Sequence, residues 1–212
     1  MSDKSFLGWP FFEDHHRHLA ETLDQWAQEY MEVLTEHEHE DLDGTCVKLV
    51  RALGSSGFAG YAVPASGGGN LEKLDVRSLC IIRETLARHN ALADFAFAMQ
   101  GLGSGPISLF GTAQQQEKYL QAVAAGEKMS AFGLSEPNAG SDVAAMKCNA
   151  VRDGDDWILN GCKTWISNAG IADFYTVFAR TDTSGGAKGI SCFIVDANTA
   201  GLEVTERIDL VA

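Results

Sequence analysis

The sequence predicts an α+β chain: an all-helical N-terminal domain over residues 1–126, then an antiparallel β-sandwich or barrel domain over 127–212. Three observations carry this. In the first part, apolar residues recur at intervals of three and four, the period of one helix face. After Met129 that period gives way to short segments rich in Val, Ile, Phe, Trp and Thr, separated by Gly and Asp. Two pairs, Asp153-Gly154 and Asn160-Gly161, supply the positive φ angles of tight hairpin turns.

The elements follow in order. Residues 12–36 read as an amphipathic helix through Leu19, Leu23, Trp26, Ala27, Tyr30 and Leu34. A second spans 41–53, with Gly54 as its C-terminal cap. The stretch 54–70 is punctuated by Gly, Ser and Pro64 and reads as a loop whose Phe58, Tyr61 and Val63 can pack. Asp75 caps a third helix to about Arg88. Residues 91–102 are apolar almost all round, as in a helix buried between others, and Ser104 before Pro106 opens a separate short helix. Thr112 with Gln115 forms a capping box for 113–125, closed by Gly126. Strands are expected at 129–134, 147–152, 156–159, 162–167, 173–181, 189–196 and 202–206, and the doubly apolar segment Phe174–Ala179 is expected to be central.

The composition sets limits. With 16 basic and 29 acidic residues the formal charge is −13, the opposite of a nucleic-acid-binding surface, although one local basic pocket remains compatible with it. The five cysteines are scattered and never paired as C-x-x-C, which fits a reducing compartment. The N-terminus lacks the apolar core of a signal peptide, and no apolar run reaches the length of a membrane span. These features read as a cytoplasmic protein with no membrane partner.

The chemistry-bearing residues gather between Met129 and Thr181. Gly140-Ser141 offers backbone N–H groups and a hydroxyl, the makings of an anion cradle, and Asn138-Ala139-Gly140 is small enough for a ligand to approach the main chain. Trp165 supplies a flat indole, and Ser167, two residues on, shares its side of a strand. A planar heteroaromatic cofactor with a phosphate tail would use this set. A lone Trp also serves as core, and Gly-Ser also serves as a plain turn.

The strings A-F-G-L-S-E-P-N-A-G-S-D (131–142) and L-N-G-C-K-T-W-I-S-N-A-G-I-A-D (159–173), with their spacing, resemble the flavin-binding middle domain of acyl-CoA dehydrogenases. The preceding F-G-T-x-x-Q-x-x-x-Y-L and Gly126-Glu127 match as well, so the resemblance covers most of the chain. It implies FAD as cofactor, bound by Phe132, Leu134, Ser135, Gly140, Ser141, Trp165, Ile166 and Ser167. Leu134 and Ser135 would bond the pyrimidine edge, Ser141 the pyrophosphate and the pantetheine arm, Trp165 would cover one flavin face, and Ser167 would bond near N5. Serine stands at 135 and 167 where the family commonly has threonine, which keeps the hydroxyl. Asn138 stands where Gly is frequent, in a turn where Asn tolerates the left-handed conformation.

The implied reaction is α,β-dehydrogenation of an acyl-CoA thioester: a glutamate removes the α-proton while hydride passes to flavin N5. In the family that base lies in a C-terminal helical domain, so it is expected beyond Ala212, and no catalytic residue is nominated among 1–212. On this reading the 212 residues alone are inactive and hold FAD weakly. The resemblance further implies an electron acceptor such as an electron-transfer flavoprotein, and a homo-oligomer, dimer or tetramer, in the full-length protein. By the same correspondence Asp94 and Ala98 would face the acyl chain; an acid there suits a short or polar acyl group, and a helix start explains it as well. Alternatives are a related acyl-CoA oxidase or flavin monooxygenase, or a non-catalytic module that binds acyl-CoA or a partner. His15, His16 and His18, and the run Glu36–Glu40, lack metal-site spacing, and no metal is expected.

Overall fold

The computed structural model describes residues 3–184 and 186–208. The chain divides between Lys128 and Met129 into two units. Among the described residues the first contains five α-helices: α1 (Asp14–Thr35), α2 (Leu42–Ser55), α3 (Val76–His89), α4 (Ala91–Phe110) and α5 (Ala113–Ala124). α1 packs against α3, while α4 packs against α2, α3 and α5. Leu23, Leu49, Ile82, Leu86 and Leu120 are fully buried. Burial of each such side chain contributes about 1.5–3 kcal/mol.

Polar caps fix where these helices start. Asp75 accepts from the N–H groups of Arg77 and Ser78 and from the Ser78 hydroxyl. It also accepts from Nε2 of the fully buried His16 at 2.6 Å, which ties the start of α1 to the start of α3. The Glu13 N–H donates to His16 Nδ1 at 3.0 Å, so both ring nitrogens are occupied. Burial would raise the Asp75 carboxyl, but its bonds to His16, Ser78 and Arg77 outweigh that and hold it well below the usual carboxylate range.

Two helix boundaries differ from the sequence reading. α4 runs unbroken through Pro106. The proline removes its own bond to the carbonyl four residues back, and just before it the Ser104 hydroxyl donates to the Gln100 carbonyl at 2.6 Å. Gly54 lies inside α2 and does not cap it; the left-handed residue after the helix is Gly57, at φ 80. What Gly54 serves is close approach, because a Cβ there would meet the Ala125 carbonyl oxygen at 2.1 Å. The 54–70 stretch holds two short 3-10 turns, Ala59–Ala62 and Ala65–Gly67, and buries Phe58 and Val63.

The second unit has five strands: β1 (Ser130–Gly133), β2 (Asn149–Asp153), β3 (Asp156–Asn160), β4 (Phe174–Arg180) and β5 (Ile190–Asp196). Among the described residues they form one sheet of mixed orientation, where the sequence suggested an antiparallel sandwich or barrel. β4 is central. It pairs antiparallel with β5, from Phe174↔Asp196 to Arg180↔Ile190, and parallel with β1, from Ser130↔Phe174 to Gly133↔Val177. One parallel pair, Asn149↔Arg180, joins it to β2.

The β2–β3 hairpin turns at Gly154-Asp155, one residue beyond the expected pair, with Gly154 at φ 62 and Asp153 facing Asp156. Asn160-Gly161 makes no hairpin. Gly161 passes so close to Cys148 that a Cβ would lie 2.6 Å from the Cys148 Cα. The segments 162–167 and 202–206 are not strands.

We expect Gly54→Ala to lower the stability of the helical unit by about 2 kcal/mol or more, because backbone atoms block the new methyl. Gly57→Ala, strained only by its φ, should cost about 1 kcal/mol. Urea unfolding of the two variants separates these values; equal losses would show that the end of α5 yields.

Candidate active site

The site is built on the path between β1 and β4. After β1 the chain forms a tight turn in which Glu136 and Ala139 exchange backbone hydrogen bonds of 3.0 and 3.1 Å. It continues through Gly140 and Ser141 to the β2–β3 hairpin and returns along β1 in the opposite direction. Contacts mark the return: the Thr164 N–H donates to the Ser135 carbonyl at 3.0 Å, Asn168 Nδ2 to the Ser130 carbonyl at 3.0 Å, and the Asp173 N–H to the Met129 carbonyl at 2.8 Å. The two motif stretches therefore lie side by side.

A buried ion pair fastens them. The Glu136 carboxylate is 2.9 Å from Lys163 Nζ, with side-chain exposures of 6% and 12%. Its other partners are the N–H groups of Lys147 at 2.7 Å and Cys148 at 2.9 Å. Lys163 also donates to the Leu134 carbonyl at 3.0 Å. Burial would raise the Glu136 carboxyl, but the Lys147 N–H, the Lys163 ammonium and the Cys148 N–H together hold it below its ordinary value.

Trp165 sits at φ 60 and Asn168 at φ 64, the two non-glycine residues with positive φ among those described. For a bulky aromatic residue this backbone costs about 1–2 kcal/mol, and it persists only where neighbours impose it. Here they do, through the Thr164 and Asn168 bonds. The consequence is an indole that is 67% exposed, while the next side chain, Ile166, packs into the cluster of Ala131, Ala172 and Tyr175. Trp165 and Ser167 thus neighbour one another on an irregular loop and not on one side of a strand.

The other sequence-predicted residues divide into two sets. Leu134 and Ser135 lie half-buried on the loop after β1, and Gly140 and Ser141 lie exposed further along it. Gly140 has no left-handed φ, and a Cβ there would meet nothing within 4 Å, so the described chain itself does not demand glycine. Asn138 has no positive φ either. Phe132 lies on β1, and its ring meets that of Phe178 on β4 at 5.1 Å. Asp94 and Ala98 belong to the helical unit, where the Asp94 carboxylate forms a two-point pair with Arg83, both contacts at 2.8 Å.

A cleft of about 410 Å3 beside Glu136, Lys147, Cys148 and Gly161 does not include Ser141, Trp165 or Ser167 in its lining. Sequence reasoning missed Lys163 and Asn168 as organisers. One signal was available: Lys163 is the single basic residue between Arg152 and Arg180, set in an acidic stretch.

The family descriptions "Acyl-CoA dehydrogenase, N-terminal domain" and "Acyl-CoA dehydrogenase, middle domain" match residues 13–127 and 131–211. The chain belongs to the acyl-CoA dehydrogenase family. It is 42% identical over 157 residues to the probable acyl-CoA dehydrogenase fadE25 of Mycobacterium leprae, an alignment covering 74% of this chain and 40% of that protein. It is 37% identical over 196 residues to the 3-(aryl)acrylate reductase of Clostridium sporogenes, covering 91% and 50%. The crystal structure of the acyl-CoA dehydrogenase of Bacillus anthracis complexed with FAD superposes with a TM-score of 0.80 at 33% identity, over 97% of this chain and 37% of that one. The chain thus spans about half the length, or less, of these acyl-CoA dehydrogenase relatives.

Because an exposed indole forfeits little burial when removed, Trp165→Gly should leave the second unit about 1 kcal/mol more stable than Trp165→Ala, by relieving the positive φ. Denaturant midpoints of the two variants test this; an equal or reversed order would show that the loop relaxes once the indole is gone.

Proposed function

We propose that this chain binds FAD and an acyl-CoA thioester for an enzyme that interconverts a saturated acyl-CoA and its α,β-unsaturated counterpart. The observation that carries the reading is Trp165: its backbone is constrained into an unfavourable conformation, and the result is an exposed aromatic face on one of the two motif stretches, the other of which holds an open glycine turn. Such strain is characteristic of functional sites. The residues present fit a flavin, since Gly140 is unhindered and required by neither packing nor φ, and the hydroxyls of Ser135, Ser141 and Ser167 lie on the same pair of stretches.

In this reading Trp165 covers the isoalloxazine, Ser135 and Ser167 hydrogen-bond its edge, and the Leu134 and Ile166 backbones flank it. Gly140 and Ser141 receive the pyrophosphate and the pantetheine arm. The Phe132 ring, which packs on Phe178, helps to line the flavin. When bound, FAD supplies the acceptor for the β-hydride. The chain's own part is to orient flavin and thioester and to exclude water between them.

Neither Glu136 nor Glu84, on α3 of the helical unit, serves as the base. Both Glu136 oxygens are engaged, and Glu84 pairs with Arg88 at 3.0 Å. We assign the proton-removing glutamate to a part of the full-length protein outside residues 1–212. An electron-transfer flavoprotein is the proposed redox partner and an oligomer the proposed assembly, with residues 1–126 as the helical domain and 127–212 as the flavin domain. Catalysis in the reductive direction is a second reading, favoured by the likeness to a 3-(aryl)acrylate reductase. Among the described residues no helix is long and apolar enough to cross a membrane; a cytoplasmic enzyme is proposed.

The test is reduction of a dye acceptor by a panel of acyl-CoA thioesters, using the FAD-loaded full-length protein. We expect turnover with at least one thioester. Trp165→Ala should weaken FAD binding about tenfold or more, roughly the loss of one stacking contact, with unchanged far-ultraviolet circular dichroism. Failure to bind FAD together with no turnover on any thioester would reject the proposal.

A further inference from the structure

The Glu136 and Lys163 side chains have no assigned contact with cofactor or substrate, yet besides bonding each other they hold three backbone groups, one of them the Leu134 carbonyl. Glu136 takes the Lys147 and Cys148 N–H groups, and Lys163 takes the Leu134 carbonyl and Glu136 itself. Lys163 lies two residues from Trp165, and the Thr164 N–H between them is bonded to the Ser135 carbonyl. The strained φ of Trp165 is therefore reached through a chain of contacts that begins at the buried carboxylate. We propose that Glu136 and Lys163 are a positioning pair: the ionised carboxylate fixes the Thr164–Trp165 backbone and so sets the orientation of the indole.

The reasoning is electrostatic. A carboxylate that is 6% exposed keeps its charge only while its donors remain in place. The groups facing it are the Lys163 ammonium, the Lys147 and Cys148 N–H groups, and the Cys148 and Cys162 thiols of the same cleft. Protonation removes the negative charge that holds the Lys163 ammonium and places an O–H on a carboxyl whose two oxygens both accept, so its contacts with Lys163 and with the Lys147 and Cys148 N–H groups weaken. The carboxyl sits below its ordinary value, so this contribution is complete above the ordinary glutamate range and is lost as the pH falls through the depressed value. Without Lys163, burial still opposes the charge, and the loss moves to higher pH.

The pair is distinct from the flavin reading, although its use in catalysis rests on that reading. The experiment therefore follows the indole itself. The Trp165 indole N–H resonance is recorded by 1H–15N NMR from pH 8 downward in the wild type, Lys163→Met, Lys163→Arg and Glu136→Gln, with amide exchange of Thr164 measured alongside. We expect one acid-range step in the wild type, a step at higher pH in Lys163→Met, a return toward wild type in Lys163→Arg, and no step in Glu136→Gln. Thr164 exchange should quicken about tenfold or more in Lys163→Met. A Trp165 resonance indifferent to pH in the wild type, or a step that persists unchanged in Glu136→Gln, would overturn the proposal. A Trp165 response in a full-length protein that binds no FAD would leave the positioning pair intact and sink the flavin reading instead.

Discussion

A strand that lies parallel to its neighbour has to be entered from the same end, and this requirement shapes the second unit. β1 and β4 are parallel, so the chain that leaves β1 at Gly133 must travel back to the level of Met129 before β4 begins. A helix often covers that distance. Here the return is made by irregular backbone, anchored on Ser135, Ser130 and Met129. Irregular backbone that leaves the sheet ladder has to find other partners for its polar groups. The Glu136 and Asn168 side chains supply several of them. The exposed indole of Trp165 follows from this route.

The sequence made most of the fold legible. Helical periodicity located α1, α2 and α3, α4 was read as two helices, and the caps at Asp75 and Thr112 were read correctly because side-chain caps follow short local rules. The doubly apolar run at Phe174–Ala179 did belong to the central strand. Local rules failed where a distant partner decides. Gly54 resembles a cap until α5 is seen pressed against it. Asn160-Gly161 resembles a hairpin until Cys148 is seen beside it. Strand orientation was misread for the same reason, since period-2 patterning records which faces are buried and not the direction of the neighbour.

The site shows the same division. Motif spacing pointed to the two stretches, and the structure lays them together. Their means of attachment was not legible, because an acid and a base 27 residues apart announce no pairing. Trp165 was expected on a strand, where its neighbour Ser167 would follow by alternation. The left-handed backbone at Trp165 and Asn168 breaks that alternation, and no propensity favours a bulky aromatic residue there. Asp94, expected toward an acyl chain, is engaged by Arg83 from the adjacent helix.

The two units also differ in what their chain must do to form. In the helical unit the consecutive pairs α3–α4 and α4–α5 close over short connections, although α1 must still meet α3, as His16 meets Asp75 from 59 residues away. In the sheet unit the first parallel pairing joins Ser130 and Phe174, and the hairpin between them has to be accommodated before any β1–β4 bond is made. Long-range parallel pairing is slow to nucleate. The helical unit also leaves the ribosome first, so the chain acquires order from its N-terminus, and the strands of the second unit are the last of these residues to find their partners.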